Sequence, residues 1–412
     1  MNKKNLPLPV KIVRYAAICF LDSFFLPIYH LCGLFRRNRN LWIFSSWLGQ
    51  KYNDSSRIFF EYMHKNHPEI RCVWLSKNRR ILKMLRENGY EAVSVFSPYA
   101  MWLSFRAGMI FSTSSNEFFL GLAKGSVFME LWHGMPLKKI GFDDNVSKGN
   151  GTLLHKFGLE MNKRFFRWKS FMYMKNCWTL TSSDFFVPFL QTAFDLPKER
   201  ILPVGLPRTD ALFSCKKESL VEKVRREFPG CRIVLYMPTF RTGVWSGKPF
   251  NPFAAEYGFN ADEFSDFLEK ENIVLLYKPH FVDLKLGQNL SSEKRFIFID
   301  DESYSELYNF AGQIDILMTD YSSIYFDFIA TKKPVVLLPF DYDFYIKYAR
   351  GHYFNYFENM EGSKAKNWQE FYRILEEKNY SPVNEKTRKK FAEYLDGKCC
   401  ERLWEKIMEL SR

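Results

Sequence analysis

The sequence predicts an α/β protein made of two open, doubly wound domains of the Rossmann type. Its 412 residues are enough for two domains. Most of its short hydrophobic runs are continuous rather than alternating, which is typical of parallel strands buried on both faces. Longer amphipathic segments separate these runs, and this alternation of strands with helices is typical of doubly wound α/β folds.

Twelve hydrophobic runs are candidate strands, too many for a single sheet of this kind. The first seven are Leu41–Ser45, Cys72–Ser76, Ala92–Phe96, Met109–Thr113, Val127–Trp132, Thr179–Ser182 and Ile201–Val204. The other five are Ile233–Met237, Ile273–Tyr277, Phe296–Ile299, Ile316–Thr319 and Val335–Leu338. The segments predicted as helices include Ser56–Lys65, Arg79–Asn88, Asp262–Glu271 and Ser322–Thr331.

A seam between residues 203 and 215 separates the two sets of strands. We therefore predict a membrane-associating segment at residues 1–40, an N-terminal Rossmann-like domain at 41–213 and a C-terminal one at 214–412. From Asn367 onward the pattern is helical and charged, which predicts a tail that packs over one domain. Ligands of open α/β sheets bind beyond the carboxyl ends of the strands, so two such sheets facing each other would form a cleft for two substrates.

Composition and charge further narrow the possible classes of protein and of binding partner. Hydrophobic residues make up 47% and charged residues 25% of the chain, which excludes a disordered protein. The formal net charge of +13 favours an anionic partner such as phosphate, nucleic acid or acidic lipid. The eight cysteines form no Cys-x-x-Cys pair, so structural zinc and a disulfide framework are disfavoured and a reducing cytoplasm is expected.

Residues Val10–Phe35 are rich in apolar and aromatic side chains but are interrupted by Arg14, Asp22 and Pro27. We interpret them as an interfacial membrane anchor, because a basic cluster follows at residues 36–39; a spanning helix and an ordinary packed helix are the alternatives. Residues Lys156–Trp178 form a second basic amphipathic stretch. It predicts either a core-facing helix with a solvated basic face or a second membrane contact.

The first candidate site follows the strand Val127–Trp132 and reads WHGMPLKKIG at 132–141. His133 ends a buried strand, where a neutral imidazole could accept a proton from an acceptor hydroxyl; a hydrogen-bonded structural histidine is the alternative. Gly134 would let another group approach the backbone closely. Lys138 and Lys139 follow within six residues and add positive charge.

Three further candidate positions follow strands of the second domain. Arg241 lies in the loop after Ile233–Met237, where a guanidinium group could bind phosphate oxygens, and His280 follows the next strand. Ser322 and Ser323 open a predicted helix, whose free N–H groups favour an anion. Each has an ordinary alternative: a surface charge for Arg241, and a helix cap without a ligand for the two serines.

Several competing chemistries have no motif in the sequence. It contains no Gly-x-x-x-x-Gly-Lys-[Ser/Thr] loop, no Gly-x-Gly-x-x-Gly and no Gly-x-Ser-x-Gly. A P-loop ATPase, a dinucleotide oxidoreductase of the usual kind and an α/β-hydrolase are therefore disfavoured. The adjacent carboxylates Asp143–Asp144 and Asp300–Asp301 indicate solvated pairs rather than a metal site, so we expect neither a metal nor another cofactor.

Taken in order, these motifs resemble the CDP-glycerol glycerophosphotransferase family, which includes teichoic acid primases and poly(glycerol phosphate) or poly(ribitol phosphate) polymerases. The resemblance covers roughly residues 41–395. The matching stretches are FSSWLGQKYNDSSRIFFEYM at 44–63, WHGMPLKKIG at 132–141, GLPRTD at 205–210, MPTFRTG at 237–243, YKPH at 277–280 and YSELYNFAGQIDILMTDYSSIYFDFIATKKPVVLLPFD at 304–341. Met135 departs from the small polar residue that many members carry there.

The resemblance implies a GT-B arrangement, with the acceptor on the N-terminal domain and the CDP-alditol on the C-terminal one. It implies transfer of glycerol phosphate or ribitol phosphate to a hydroxyl of a polyprenyl-diphosphate-linked acceptor, with release of CMP, by a peripheral protein at the cytoplasmic face of the membrane. His133 would be the general base, and Arg241, His280, Ser322 and Ser323 would hold the pyrophosphate. Other expected substrate-binding residues are Gly134, Lys138, Lys139, Thr239, Lys278, Tyr304, Glu306 and Asp320.

Two rival functions stay open at this point. A GT-B glycosyltransferase that uses a nucleotide sugar would share the fold, the phosphate-binding helix and the membrane acceptor. A non-enzymatic protein that binds membranes or nucleic acid would account for the positive charge alone, although we expect no nucleic-acid partner. The choice between glycerol and ribitol, between a primase and a polymerase, and between oligomeric states is also open.

Overall fold

The computed structural model describes residues 30–114, 122–144, 177–214, 219–239, 250–279, 293–299, 307–348 and 351–410, with residue 290 and a few isolated positions between 9 and 27. The chain divides into two compact units. The first unit consists of residues 1–133 and 147–179, and the second consists of residues 134–146 and 180–412.

The first sheet is parallel and has seven strands in the order β3-β2-β1-β4-β5-β6-β7. Its central strand β1 pairs with β2 on one side and β4 on the other, so that Ile43 lies opposite both Val73 and Ile110. The strands are β1 (Asn38–Phe44), β2 (Arg71–Ser76), β3 (Ala92–Ser94), β4 (Ala107–Ser112), β5 (Val127–Glu130), β6 (Cys177–Leu180) and β7 (Ile201–Leu202).

Three helices of the first unit follow β1, β2 and β3: α1 (Asp54–Asn66), α2 (Arg79–Glu87) and α3 (Pro98–Arg106). Helix α1 buries Phe59 and Phe60 against the aromatic side chain of Phe44 on β1. Helix α3 begins with a cap in which the Ser97 hydroxyl accepts the Ala100 N–H at 3.1 Å. The first contact holds α1 on the sheet, and the second defines the start of α3.

The second sheet is parallel with six strands in the order β10-β9-β8-β11-β12-β13. Its central strand β8 pairs with β9 and β11, so that Val234 lies opposite both Leu275 and Ile316. The strands are β8 (Arg232–Met237), β9 (Ile273–Tyr277), β10 (Phe296–Phe298), β11 (Ile316–Thr319), β12 (Val335–Leu337) and β13 (Ser363–Lys364). The two sheets therefore share one strand order: the first strand is central, and later strands are added first on one side of it and then on the other.

The second unit contains ten described helices, and Trp368 on one of them lies in the core beside the second sheet. Trp368 is fully buried among Phe253, Phe264 and Phe371, and its indole N–H donates to the Pro252 carbonyl at 2.7 Å. The helices are α4 (Val187–Phe194), α5 (Leu220–Glu227), α6 (Ala261–Lys270), α7 (Leu307–Ala311), α8 (Ile324–Phe328), α9 (Tyr342–Tyr348), α10 (Tyr356–Asn359), α11 (Trp368–Glu376), α12 (Glu385–Ala392) and α13 (Cys399–Leu410).

Residues 134–146 belong to the second unit although they follow β5 of the first sheet. Backbone hydrogen bonds join this segment to residues 351–353: Lys139 donates to Gly351 and Tyr353 donates to Leu137, both at 2.8 Å. The Tyr353 hydroxyl also donates to Asp143 at 2.8 Å. The domain boundary expected after residue 213 stays a prediction.

All twelve predicted strands are present, which confirms the secondary-structure pattern, and helices α11, α12 and α13 agree with the helical pattern predicted after Asn367. The short strand β13 was not predicted, because two residues carry no periodic signal. Half of Val10–Phe35 and nearly all of Lys156–Trp178 lie outside the described residues, so both interpretations stay predictions. None of the helices described here is long and apolar enough to cross a membrane.

Candidate active site

Polar side chains gather at the carboxyl ends of the first sheet's central strands. Ser45 and Ser46 follow β1, Thr113 and Ser114 follow β4, and His133 follows β5. The order of the strands reverses between the neighbouring parallel strands β1 and β4. Open α/β sheets bind ligands in the crevice outside the carboxyl ends of the strands at such a point.

The His133 imidazole is held by a hydrogen bond to the backbone of Thr113. Its Nδ1 lies 2.9 Å from the Thr113 carbonyl oxygen. Because a carbonyl oxygen can only accept, Nδ1 carries the hydrogen and donates it. In the neutral ring the lone pair is then on Nε2, which can accept a proton. The ring is only half-buried, so this geometry is suited to a general base.

Two tryptophan rings flank this imidazole. The Trp132 ring centroid lies 4.0 Å and the Trp47 centroid 5.6 Å from that of His133. Trp132 has a left-handed backbone, with φ of 54°, and its backbone N–H donates to the buried Glu130 carboxylate at 3.1 Å. This bond fixes the turn that places His133 after β5.

In the second unit, Gly134 lies against Ser323 and Arg208. A Cβ atom on Gly134 would come within 2.5 Å of the Ser323 hydroxyl oxygen and 3.0 Å of Arg208 Nη2. Its φ of +137° is also unfavourable for other residues. The close approach expected at Gly134 is therefore present, and it brings together two predicted site residues and a guanidinium group for which no role was predicted.

Arg208 is held in place by a buried ion pair. Its Nη2 lies 2.6 Å from Asp327 Oδ2, which also accepts the Tyr308 hydroxyl at 2.6 Å. The Arg208 and Asp327 side chains are 3% and 0% exposed. A buried pair of this kind fixes the direction of the guanidinium group, and a cation beside Gly134 and Ser323 can bind a phosphate oxygen.

The predicted residues at the ends of β8, β9 and β11 are buried. Asp320 Oδ1 accepts the Thr239 N–H at 2.8 Å and the Tyr321 N–H, so this carboxylate ties the end of β8 to that of β11. Lys278 is 3% exposed and its ammonium donates to the Pro279 carbonyl at 3.3 Å. These contacts shape the edge of the sheet; their participation in substrate binding stays a prediction, as does that of Ser322, which is half-buried.

Lys138 lies beside a histidine that sequence reasoning missed. Its backbone forms an antiparallel bridge with that of His352. Burial, with a smaller effect of the Lys138 charge, lowers the pKa of His352 to about 4. His352 is therefore neutral near neutral pH. Lys138 and Lys139 are both half-buried, and Lys139 uses its backbone to bind Gly351.

Four predicted site residues, Arg241, His280, Tyr304 and Glu306, lie outside the described residues. Of the others, the structure brings Gly134 to Ser323 and Thr239 to Asp320. It adds Arg208, Thr113 and His352. A hydroxyl at the end of a predicted strand was the available signal for Thr113, and the GLPRTD match was the one for Arg208.

Comparison with known proteins identifies the family of this chain. The family described as CDP-Glycerol:Poly(glycerophosphate) glycerophosphotransferase matches residues 28–409. The chain belongs to this family. The resemblance inferred from the motifs is thereby confirmed.

Two curated members of the glycerophosphotransferase family are similar over most of this chain. One is the teichoic acid poly(glycerol phosphate) polymerase of Staphylococcus epidermidis, 26% identical over 87% of this chain and 48% of its own length. The other is the teichoic acid glycerol-phosphate transferase of Staphylococcus aureus, 24% identical over 90% of this chain and 94% of its own length. The chain thus spans about half the length of the first relative and most of the second.

A solved structure, that of the wall teichoic acid polymerase TagF, matches with a TM-score of 0.69 at 23% identity and covers 98% of this chain and 97% of that one. With the two parallel sheets, this likeness confirms the predicted α/β fold of the GT-B type.

Proposed function

We propose that this glycerophosphotransferase-family protein transfers glycerol phosphate or ribitol phosphate from a CDP-alditol to a hydroxyl of a polyprenyl-diphosphate-linked acceptor, releasing CMP, in the synthesis of teichoic acid or a related polymer. The observation that carries the proposal is the set of contacts made by the adjacent residues His133 and Gly134. His133 is an imidazole whose Nδ1–H is committed to Thr113, and the next residue packs against Arg208 and Ser323. A base and a cationic, hydroxyl-bearing cluster are therefore joined by one peptide bond.

The reaction requires one proton transfer and one displacement at phosphorus. The acceptor hydroxyl gives its proton to Nε2 of His133 while its oxygen forms a bond to the β-phosphorus, which carries the alditol. The bond from that phosphorus to the bridging oxygen breaks, and CMP leaves with the bridging oxygen and its electron pair. The products are a phosphodiester, CMP and a protonated His133, which returns its proton to solvent.

The donor-binding residues in this proposal are the ones that can neutralise charge. Arg208 is fixed by Asp327, and Ser323 lies beside it, so both can bind oxygens of the pyrophosphate without reorganising. Arg241, His280 and Ser322 complete this set on the grounds of their sequence positions. Charge neutralisation of this kind stabilises both the transferred phosphoryl group and the departing CMP.

A peripheral position at the cytoplasmic face of the membrane is part of the proposal. The end of the N-terminal segment exposes Leu31, Leu34 and Phe35, which are 57%, 81% and 56% accessible. Arg36 and Arg39 follow and are exposed as well. Apolar side chains next to basic ones are suited to an anionic lipid surface, where a lipid-linked acceptor would be held.

A substrate assay tests the proposal directly. The full chain is incubated with a synthetic prenyl-diphosphate-linked disaccharide and, in separate reactions, with CDP-glycerol, CDP-ribitol or a panel of UDP- and GDP-sugars. We expect release of CMP and a lipid product heavier by one or more alditol phosphate units. The mass identifies the alditol and the number of units added. Release of UDP or GDP with addition of a sugar, and no CMP from either CDP-alditol, would replace this proposal with a glycosyltransferase.

A further inference from the structure

Eight described residues other than glycine have a left-handed backbone, and they fall into two groups. Four follow helices, where this conformation is common: Asp195, Asn272, Lys332 and Lys378. The other four lie in the first unit, at Trp47, Leu48, Asp54 and Trp132. A left-handed conformation is rare and unfavourable for a bulky residue. Such strain persists where the surroundings enforce it, often at a functional site.

The two strained tryptophans contact the same imidazole. Trp47 follows the carboxyl end of β1 and Trp132 that of β5, 85 positions later, yet both rings lie within 5.6 Å of the His133 ring, centroid to centroid. Both side chains are half-buried, so part of each indole faces outward beside the proposed base. The Lys51 ammonium lies 5.5 Å from the Trp47 ring centroid and adds a positive charge.

A chain of buried and partly buried hydrogen bonds connects Trp47 with His133. The Ser46 hydroxyl donates to Asn53 Oδ1 at 2.7 Å, so the contact of 3.3 Å between Ser46 and Thr113 is donated by the Thr113 hydroxyl. Thr113 Oγ1 in turn accepts the backbone N–H of Trp47 at 3.1 Å, and the Thr113 carbonyl accepts His133 Nδ1–H. One residue therefore holds both the His133 ring and the backbone from which the Trp47 indole projects.

We infer that Trp47 and Trp132 bind the acceptor, by packing against the carbon skeleton of the polyol or sugar that carries the attacking hydroxyl. This inference rests on the proposed function, because it takes His133 as the base. The face of an indole is electron-rich, and the C–H bonds of a carbon that bears a hydroxyl are polarised toward it. Lys51 favours an acceptor that carries phosphate next to this skeleton.

Packing of the acceptor's carbon skeleton on the two indoles would bring its hydroxyl to the base in a productive orientation. A hydroxyl in water is hydrated and rotates freely, whereas one attached to a skeleton packed on two fixed rings points in a restricted direction. The adjacent Nε2 of His133 then accepts its proton. The two tryptophans thus determine which acceptor is used, while residues of the second unit bind the donor.

Asparagine variants separate the indole from the backbone conformation. Asparagine tolerates a left-handed backbone, so Trp47→Asn and Trp132→Asn remove a ring and relieve strain. Leu48→Asn is the matched control, since Leu48 is left-handed, 48% exposed and adjacent to Trp47. The KM values for the prenyl-linked disaccharide and for the CDP-alditol are measured separately. Melting temperatures establish that each variant is folded.

We expect each tryptophan variant to raise the acceptor KM about tenfold, the size of one aromatic contact. The CDP-alditol KM should stay within about twofold of wild type, and Leu48→Asn should change neither value. An active wild type with an unchanged acceptor KM in both folded tryptophan variants would overturn this inference alone. A wild-type chain that releases no CMP from any CDP-alditol would overturn the proposed function, and this inference with it.

Discussion

In both parallel sheets the order of strand addition reverses at an equivalent place, but the residues at the two places differ in chemical type. In the first sheet the reversal lies between β1 and β4, and in the second between β8 and β11. A side chain bridges each reversal. Thr113 is the bridge in the first unit and accepts the Trp47 N–H with its hydroxyl, whereas Asp320 is the bridge in the second and accepts the Thr239 N–H with its carboxylate.

The surroundings of the two bridges differ in charge and burial. The hydrogen bonds of Thr113 named above go to Ser46, to the Trp47 backbone and to His133, and the rings nearby are half-buried. The second unit has, close to Gly134, the buried Arg208–Asp327 ion pair. The first arrangement is suited to accepting a proton and the second to neutralising phosphate. Strand order thus determines where a site forms, and residue type determines its chemistry.

Replacement of His133 by alanine should have the largest effect on this comparison. Loss of a general base lowers the turnover number by about 10²–10⁴-fold. Binding of the CDP-alditol, measured by calorimetry, should be unchanged, because the proposed donor residues belong to the second unit. His64→Ala is the control, since His64 is an exposed histidine of the same unit. Near-normal turnover in the His133 variant would remove the base from the proposal.

Arg208 tests whether the charged character of the second unit is functional. Arg208→Ala leaves the Asp327 carboxylate buried without its cation and should lower the free energy of unfolding by about 3–5 kcal/mol. The matched control is Arg225→Ala, which breaks a pair of similar length, 2.9 Å to Asp315, whose side chains are 41% and 36% exposed. Its removal should cost only about 0–1 kcal/mol. Urea denaturation measures both.

A double variant separates stability from phosphate binding. Arg208→Met with Asp327→Leu replaces the buried ion pair by apolar side chains, which often restores stability. We expect the double variant to regain much of the lost free energy of unfolding but to stay impaired in CDP-alditol binding. Recovery of donor binding together with stability would show that Arg208 acts only in packing.

Sequence reasoning located the strands because burial on both faces leaves a continuous apolar pattern. Strands β9 and β11 begin and end at the predicted residues, Ile273–Tyr277 and Ile316–Thr319. It also singled out His133 as a candidate base, since a histidine at the end of a buried strand is unusual enough to be noticed, and this role stays a prediction. The ion pair of Arg208 was missed because its partner Asp327 is 119 positions away, and no local pattern connects them.

The backbone strain at Trp47 and Trp132 could not be predicted for a related reason. Both residues are normal strand or loop residues by propensity. The backbone of Trp47 is held by Thr113, 66 positions away, and that of Trp132 by the Glu130 carboxylate at the end of β5, a bond that no sequence pattern predicts. The low pKa of His352 also depends on tertiary packing, because the rings around it come from the turn after β11 and from helices α9 and α10.

His352 provides the smallest of the expected effects and a contrast with His133. Its ring lies 5.7–6.2 Å, centroid to centroid, from those of Tyr321, Tyr342, Tyr345 and Tyr356, and among the described residues neither ring nitrogen has a hydrogen-bond partner. Burial and, to a smaller extent, the Lys138 charge therefore lower its pKa to about 4. In the unfolded chain the pKa is about 6.5. Between these values the unfolded state binds more protons, so stability falls as the pH decreases.

The expected loss from pH 7 to pH 5 is about 2 kcal/mol of unfolding free energy that belongs to this one imidazole. Urea denaturation at several pH values measures it as the difference between wild type and His352→Phe, a variant that keeps a ring but cannot be protonated. Lys138→Gln should reduce the pH dependence, since it removes the second cause of the low pKa. A parallel pH dependence in wild type and His352→Phe would mean that His352 is protonated as readily in the folded chain as in the unfolded one. In that case the second unit would hold an imidazole able to accept a proton, and the contrast with His133 would disappear.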